Sequence, residues 1–155
     1  MSAERRELPP GTYGFEDLAV GDRWRTGAIT VTDWHILTFA GLSGDFFDVH
    51  MDDGFAKAAG FEGRIAHGIL GLALVDGLKN RAGVRLKAIA SLGWTWDFKR
   101  PIRPGDRISA EISVAGLRPT KRQDRGIATL AFDVVNGDGL TVQEGQNRLM
   151  MERGA

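Results

Sequence analysis

The sequence predicts an α+β fold in which an antiparallel sheet wraps around a long, buried central helix. Three observations carry that expectation. The stretch "RIAHGILGLALVDGLKNRAG" is apolar on nearly all sides from Ile65 to Leu78, with Asp76 the one charge inside that span and Arg64, Lys79 and Arg81 outside it. A helix that is apolar all round is a buried helix. Beyond Gly83 the chain turns strand-like, and Ile108, Ala110, Ile112 and Val114 alternate with polar neighbours, the period-two pattern of a half-buried strand. "NGDG" at 136–139 separates two further strand-like runs and is a strong hairpin signal. A curved sheet folded round the helix would bury it on most faces.

Taken in order, residues 1–12 read as a loose arm, with charges followed by Pro9, Pro10 and Gly11. A Gly21-Asp22 turn leads into a strand expected near Trp24–Ile29. Trp34, Leu37, Phe39, Ala40 and Leu42 have helical spacing, Thr32 suits the N-cap, and Gly41 and Gly44 mark the exit. A short helix is expected in "DDGFAKAAGF", with Asp52 or Asp53 near its start, where the dipole favours acids, and Gly60 as its stop. The buried helix is placed at Ala66–Asn80. Strands follow in "KAIASLGWTWDFKRPI", in "RISAEISVAGL" after a Pro104-Gly105-Asp106 turn, in "GIATLAFDVVN" and in "LTVQEGQNRLMM", with a basic polar loop at 118–126. No repeat or linker divides the chain, so one domain is expected over 1–155.

The 155 residues suit one core. Twenty basic residues balance twenty acidic ones, so no net field points to nucleic acid or to an anionic membrane. There is no cysteine, which removes disulfides and thiolate metal sites. Neither a signal-peptide core nor an apolar run of the roughly 18 residues needed to span a bilayer is present. A soluble, cytoplasmic protein is the expectation.

The chemistry concentrates in "SGDFFDVHMDD", residues 43–53. Asp45 follows a glycine at a helix exit, where the chain can turn a side chain into a cleft. Phe46, Phe47 and Val49 offer apolar walls that exclude water. "AHG" at 66–68 opens the buried helix, whose first N–H groups lack internal partners and suit an oxyanion. Acid, imidazole and oxyanion site together fit the addition of water to, or its removal from, a double bond conjugated to a carbonyl.

At these residues the chain resembles the MaoC-like, R-specific enoyl-CoA hydratases. Phe39, Leu42, Ser43, Gly44, Asp45, Val49, His50, Ile65, His67 and Gly68 match that family's motif in order, and the similarity extends to "FEDLAVGDRW" and "FKRPIRPGDRI". Where the family usually has Asn-Pro, this chain has Phe47-Asp48. In that it is closer to the hydratase domain of phenylacetate-pathway ring-opening enzymes, which act on a cyclic oxepin-CoA. The departure leaves the acid–histidine pair intact and puts the acyl group in question.

The resemblance implies a hot dog fold and a reversible, R-specific enoyl-CoA hydratase or 3-hydroxyacyl-CoA dehydratase. It also implies a homodimer or higher homo-oligomer with sites near the subunit interface. No cofactor and no metal are implied; coenzyme A, or an acyl-carrier thioester, arrives with the substrate. Asp45 would bind and activate water, and His50 would share that water and pass a proton to the α-carbon. Gly68 would donate its N–H to the thioester oxygen. The structural alternatives are a helix-end cap for Asp45, a core histidine for His50 and close helix packing for Gly68.

Phe47, His67, Arg64 and Arg100 are the candidate substrate-binding residues. His67 has a second reading, as a residue that caps the helix and orients the loop carrying Asp45. Lys99 and Arg103 could also meet phosphates. Ser43 reads as a turn residue, Asp48 as a solvated acid, and Asp76 as a group needing a partner if buried. Trp94 and Trp96 share one strand face and read as core or interface aromatics. His35, His50 and His67 have no zinc-type spacing. A thioester hydrolase and a non-catalytic acyl-CoA-binding subunit are the competing functions.

Overall fold

The computed structural model describes residues 5–154. Strands β1 (Gly11–Tyr13), β2 (Arg23–Arg25) and β3 (Ile29–Thr30) precede helices α1 (Asp33–Ser43), α2 (Asp48–Met51), α3 (Asp53–Ala58) and α4 (Gly68–Asn80). Strands β4 (Val84–Leu86), β5 (Ala88–Phe98), β6 (Arg107–Pro119), β7 (Arg125–Val135) and β8 (Thr141–Glu152) complete the chain. The main sheet is antiparallel in the order β2-β6-β7-β8-β5, with β3 also paired to β6.

The alternation in β6 works as its pattern requires: Ile108, Ala110, Ile112 and Val114 are buried, and Ala128, Leu130, Phe132 and Val134 of β7 join them. Leu70 and Val75 of α4 pack into this core, and Leu78 is buried as well. Trp94 and Trp96 of β5 are half-buried and meet edge to face at 5.5 Å, both against Phe132. Asn136 closes the expected turn, its side-chain carbonyl accepting from the N–H groups of Asp138 and Leu140.

Several expectations change. From Arg5 onward the supposed loose arm is part of the fold; residues 1–4 lie outside the described residues. Leu8 is buried, and β1 pairs in parallel with β4. Arg6 reaches the buried carboxylate of Asp22 at 2.6 and 2.9 Å. Arg6 therefore has a partner, which composition does not reveal. The strand expected over Trp24–Ile29 is two short ones, β2 and β3. The basic loop shortens to 120–124, because β6 and β7 run on to Pro119 and back from Arg125.

In α1 it is Ile36 and Ala40 that are buried, while Trp34, Leu37 and Leu42 lie exposed. Thr32 is the N-cap, but through its backbone: its N–H donates to His35 Nδ1 at 2.9 Å. Helix α4 starts at Gly68 rather than Ala66. The Ala66 N–H is committed to Ile102 O at 2.7 Å, and His67 is extended. One face of α4, at Ile69 and Ala73, remains open. Asp76 has the partner its position demands, Lys79 Nζ at 2.7 Å. No helix among the described residues is long and apolar enough to cross a membrane.

Candidate active site

The site is built where α1 ends, α2 follows and α4 begins. Gly44 closes α1 in the left-handed region, φ 79° and ψ 7°, a conformation that favours glycine. Ser43 Oγ donates to Phe39 O at 2.7 Å and accepts from the Asp45 N–H at 3.1 Å, the turn role expected of it. Asp45 Oδ1 then accepts from the Phe47 N–H at 3.2 Å, which turns the chain into α2. Asp48 is the exposed first residue of α2. That four-residue helix was not anticipated, and it sets the direction of His50.

The two imidazoles are fixed by backbone carbonyls. His50 Nδ1 lies 2.8 Å from Ile65 O, and His67 Nε2 lies 2.8 Å from Asp45 O. A carbonyl can only accept, so each of these nitrogens carries the hydrogen, which leaves His50 Nε2 and His67 Nδ1 as the acceptors in the neutral rings. The rings stack at 3.8 Å with planes 28° apart. His67 is buried, packs against Phe39 at 4.8 Å and ties α4 to the loop carrying Asp45. It does not line the cleft.

Burial lowers the pKa of His50 below 6.5, and nearby His67 lowers it further; the Ile65 carbonyl and the Asp45 carboxylate oppose them. The neutral base form is thus favoured near pH 7.

A carboxylate oxygen of Asp45 and one ring nitrogen from each of His50 and His67 lie within 4.8 Å of one another. Imidazole ligands must aim in-plane lone pairs at a common ion about 2.0–2.1 Å away. The two rings stack, so their free nitrogens lie side by side rather than facing one another.

A cleft of about 470 Å³ opens beside His50, lined among others by Phe47, Phe61, Ile65, Gly68, Phe98 and Arg100. Asp45 is exposed and does not line it, but stands against the imidazole that does. Phe47 meets His50 edge to face at 6.1 Å and Phe55 at 5.7 Å. Gly68 is the first residue of α4, and a Cβ there would come within 2.5 Å of the Phe98 ring. Both readings of this glycine, N–H donor and close packing, are compatible with that position.

Arg100 lines the cleft, with Nη1 donating to Thr141 O at 2.7 Å; Lys99 lines it too and pairs with Glu144 at 3.0 Å. Arg64 does not belong there. It is held by Asp53 at 3.0 Å and Asp33 at 3.3 Å, so it staples α1 and α3 to the loop before α4. Arg103 is paired with Glu62. A wider groove of about 840 Å³ lies elsewhere, around Glu16, Lys87 and Arg153, with none of the three site residues in it.

Sequence reasoning missed Phe61, Phe98 and Gln143. Gln143 is buried in β8, lines the cleft, accepts from Trp96 Nε1 at 2.9 Å and donates to Gly68 O at 3.0 Å. Its strand shows no clean alternation there, since Val142 beside it is buried as well.

An antiparallel sheet wrapped around a central helix defines a hot dog protein. A Mycobacterium tuberculosis protein with a double hotdog fold superposes with a TM-score of 0.81 at 21% identity, over 95% of this chain and 46% of that one. The chain belongs to the MaoC-like domain family, whose model matches residues 17–136. It is 36% identical over 113 residues to an (R)-specific enoyl-CoA hydratase of Aeromonas caviae, covering 72% of this chain and 79% of that protein. The crystal structure of a MaoC-like dehydratase from Rhodospirillum rubrum is similar with a TM-score of 0.82 and 32% identity, over 92% of this chain and 99% of that one.

Proposed function

We propose that this protein is an enoyl-CoA hydratase, working reversibly as a 3-hydroxyacyl-CoA dehydratase with R stereochemistry. One observation carries the reading: His50 has Nδ1 pinned by Ile65 O and Nε2 free, beside the Asp45 carboxylate and on a cleft that reaches the start of α4.

In hydration, Asp45 and His50 hold one water. Its oxygen forms a bond to C3 of the enoyl group, the C2=C3 electron pair takes a proton at C2, and the proton lost by the water is relayed through His50. Negative charge gathers on the thioester oxygen during the step. The Gly68 N–H at the head of α4 is placed to stabilise it, because the first helical N–H groups lack internal acceptors and carry partial positive charge. Dehydration is the reverse.

The apolar walls suit an acyl group, and Lys99 and Arg100 suit a phosphate-bearing carrier such as coenzyme A. A homodimer is part of the proposal. The β5 edge facing away from β8 has no ladder partner among the described residues and shows Ile89, Leu92 and Phe98 exposed, while Ile69 of α4 is 63% exposed. A second copy would cover both. The cysteine-free composition supports the cytoplasm as its compartment.

The test is loss of enoyl absorbance with crotonyl-CoA, followed by chiral analysis of the 3-hydroxy product. Asp45→Asn and His50→Ala should each lower kcat/KM by at least about 100-fold. Wild-type-like rates in both would remove the assignment. Release of free thiol without hydroxyacyl product would make it a thioester hydrolase instead.

A further inference from the structure

We propose that Gln143 is a positioning residue that aims the first turn of α4 at the thioester oxygen; the inference rests on the hydratase reading. Three observations support it. The Gln143 amide spans the gap between sheet and helix, its Oε1 held by Trp96 Nε1 at 2.9 Å and its Nε2 donating to Gly68 O at 3.0 Å. It is 2% exposed although it lines the cleft. And the helix leaves room for it: a Cβ on Gly71 would come within 2.5 Å of Gln143 Nε2.

A buried amide is costly unless it is hydrogen-bonded. An apolar residue would fill the same wall without needing a partner. What the amide adds is direction. It ties the Gly68 carbonyl to β5 through Trp96, so that the residue whose N–H faces the developing charge cannot drift. Displacements of about 1 Å at such a donor cost up to about 100-fold in rate. Gly71 is the complementary part, since its missing side chain lets the amide lie against the helix.

The test compares Gln143→Leu, Gln143→Glu, Gly71→Ala and the double variant carrying both Gln143→Leu and Gly71→Ala. Each is measured by kcat and KM for crotonyl-CoA, alongside thermal unfolding. Glutamate keeps an acceptor for Trp96 and is read at alkaline pH, where the ionised carboxylate has no hydrogen to give the Gly68 carbonyl and the loss isolates that bond. The Gly71→Ala change pushes the amide aside while raising helix propensity, so it keeps the test available if the Gln143 variants fail to fold.

Gln143→Leu, Gln143→Glu and Gly71→Ala should each lose about 10- to 100-fold in kcat with KM changed less than about threefold. The double variant should be no worse than the weaker single one, because both changes break one contact. Unchanged kcat in a folded variant, additive losses, or a kcat loss matched by loss of folded protein would each overturn the positioning role. Failure of the hydratase reading itself is separable: the wild-type protein would then give no 3-hydroxy product or would release free thiol instead, or Asp45→Asn and His50→Ala would keep wild-type rates.

Discussion

Ile65 O takes the Nδ1 hydrogen of His50, so in the proposed reaction the proton in transit uses Nε2. Burial and the neighbouring His67 hold the His50 pKa below 6.5, so the base form persists into mild acid. The acid limb of kcat/KM for hydration should therefore have its midpoint below pH 6.5, as a pH–rate profile will show; a midpoint above it would contradict the assignment. The same lowering means that below pH 6.5 the unfolded chain binds a proton that the folded one resists, so His50 then opposes folding. Asp22 has the opposite role. Its pKa is lowered chiefly by the Arg6 hydrogen bond, so its contribution is complete above pH 3.8 and fades as pH falls through the lower folded value. Asp22→Ala should destabilise by about 1–3 kcal/mol at neutral pH, measured by denaturant unfolding, and the difference from wild type should shrink in acid.

Among the elements, β8 does the most to shape the site, because it lies between β7 and β5 and carries Gln143. Gly145 on this strand pairs with Trp96 on one side and Phe132 on the other, and the two aromatic rings meet across it at 5.6 Å. A Cβ there would run into the Thr95 carbonyl oxygen and the Trp96 ring. Gly145→Ala should cost about 1–3 kcal/mol, visible as a lower Tm, and should reduce kcat as well, since Trp96 also holds Gln143. Stability lost with kcat intact would show that β5 and the site are not coupled. The helices contribute by their ends: the left-handed exit of α1 delivers Asp45, and the start of α4 delivers Gly68. The exit of α1 was legible in the sequence from Gly44, because turns are local chemistry, whereas "AHG" placed the start of α4 two residues early, since the Ala66 N–H is taken by the distant Ile102 carbonyl. Helix α2 was not legible, since four residues are too few for a periodic pattern.

At the scale of the molecule, one copy leaves the β5 edge and a face of α4 open. If the proposed homodimer forms across this edge, wild type should sediment as a dimer and Leu92→Arg as a monomer in analytical ultracentrifugation; a dimer unchanged by the substitution would place the interface elsewhere. The buried helix, the alternating strands, the hairpin turn and the Asp45–His50 pair all came from the sequence by itself, because each is written in the spacing of near neighbours. Only the tertiary structure decided the rest. It moved Arg64 out of the cleft and into the pairs with Asp33 and Asp53. It set His67 against the loop 22 positions before it and Gln143 under a helix 75 positions away. Periodicity records which face of an element is apolar, but not which distant carbonyl or carboxylate that face will meet. That depends on how the sheet curves around α4, a property of the packed chain as a whole.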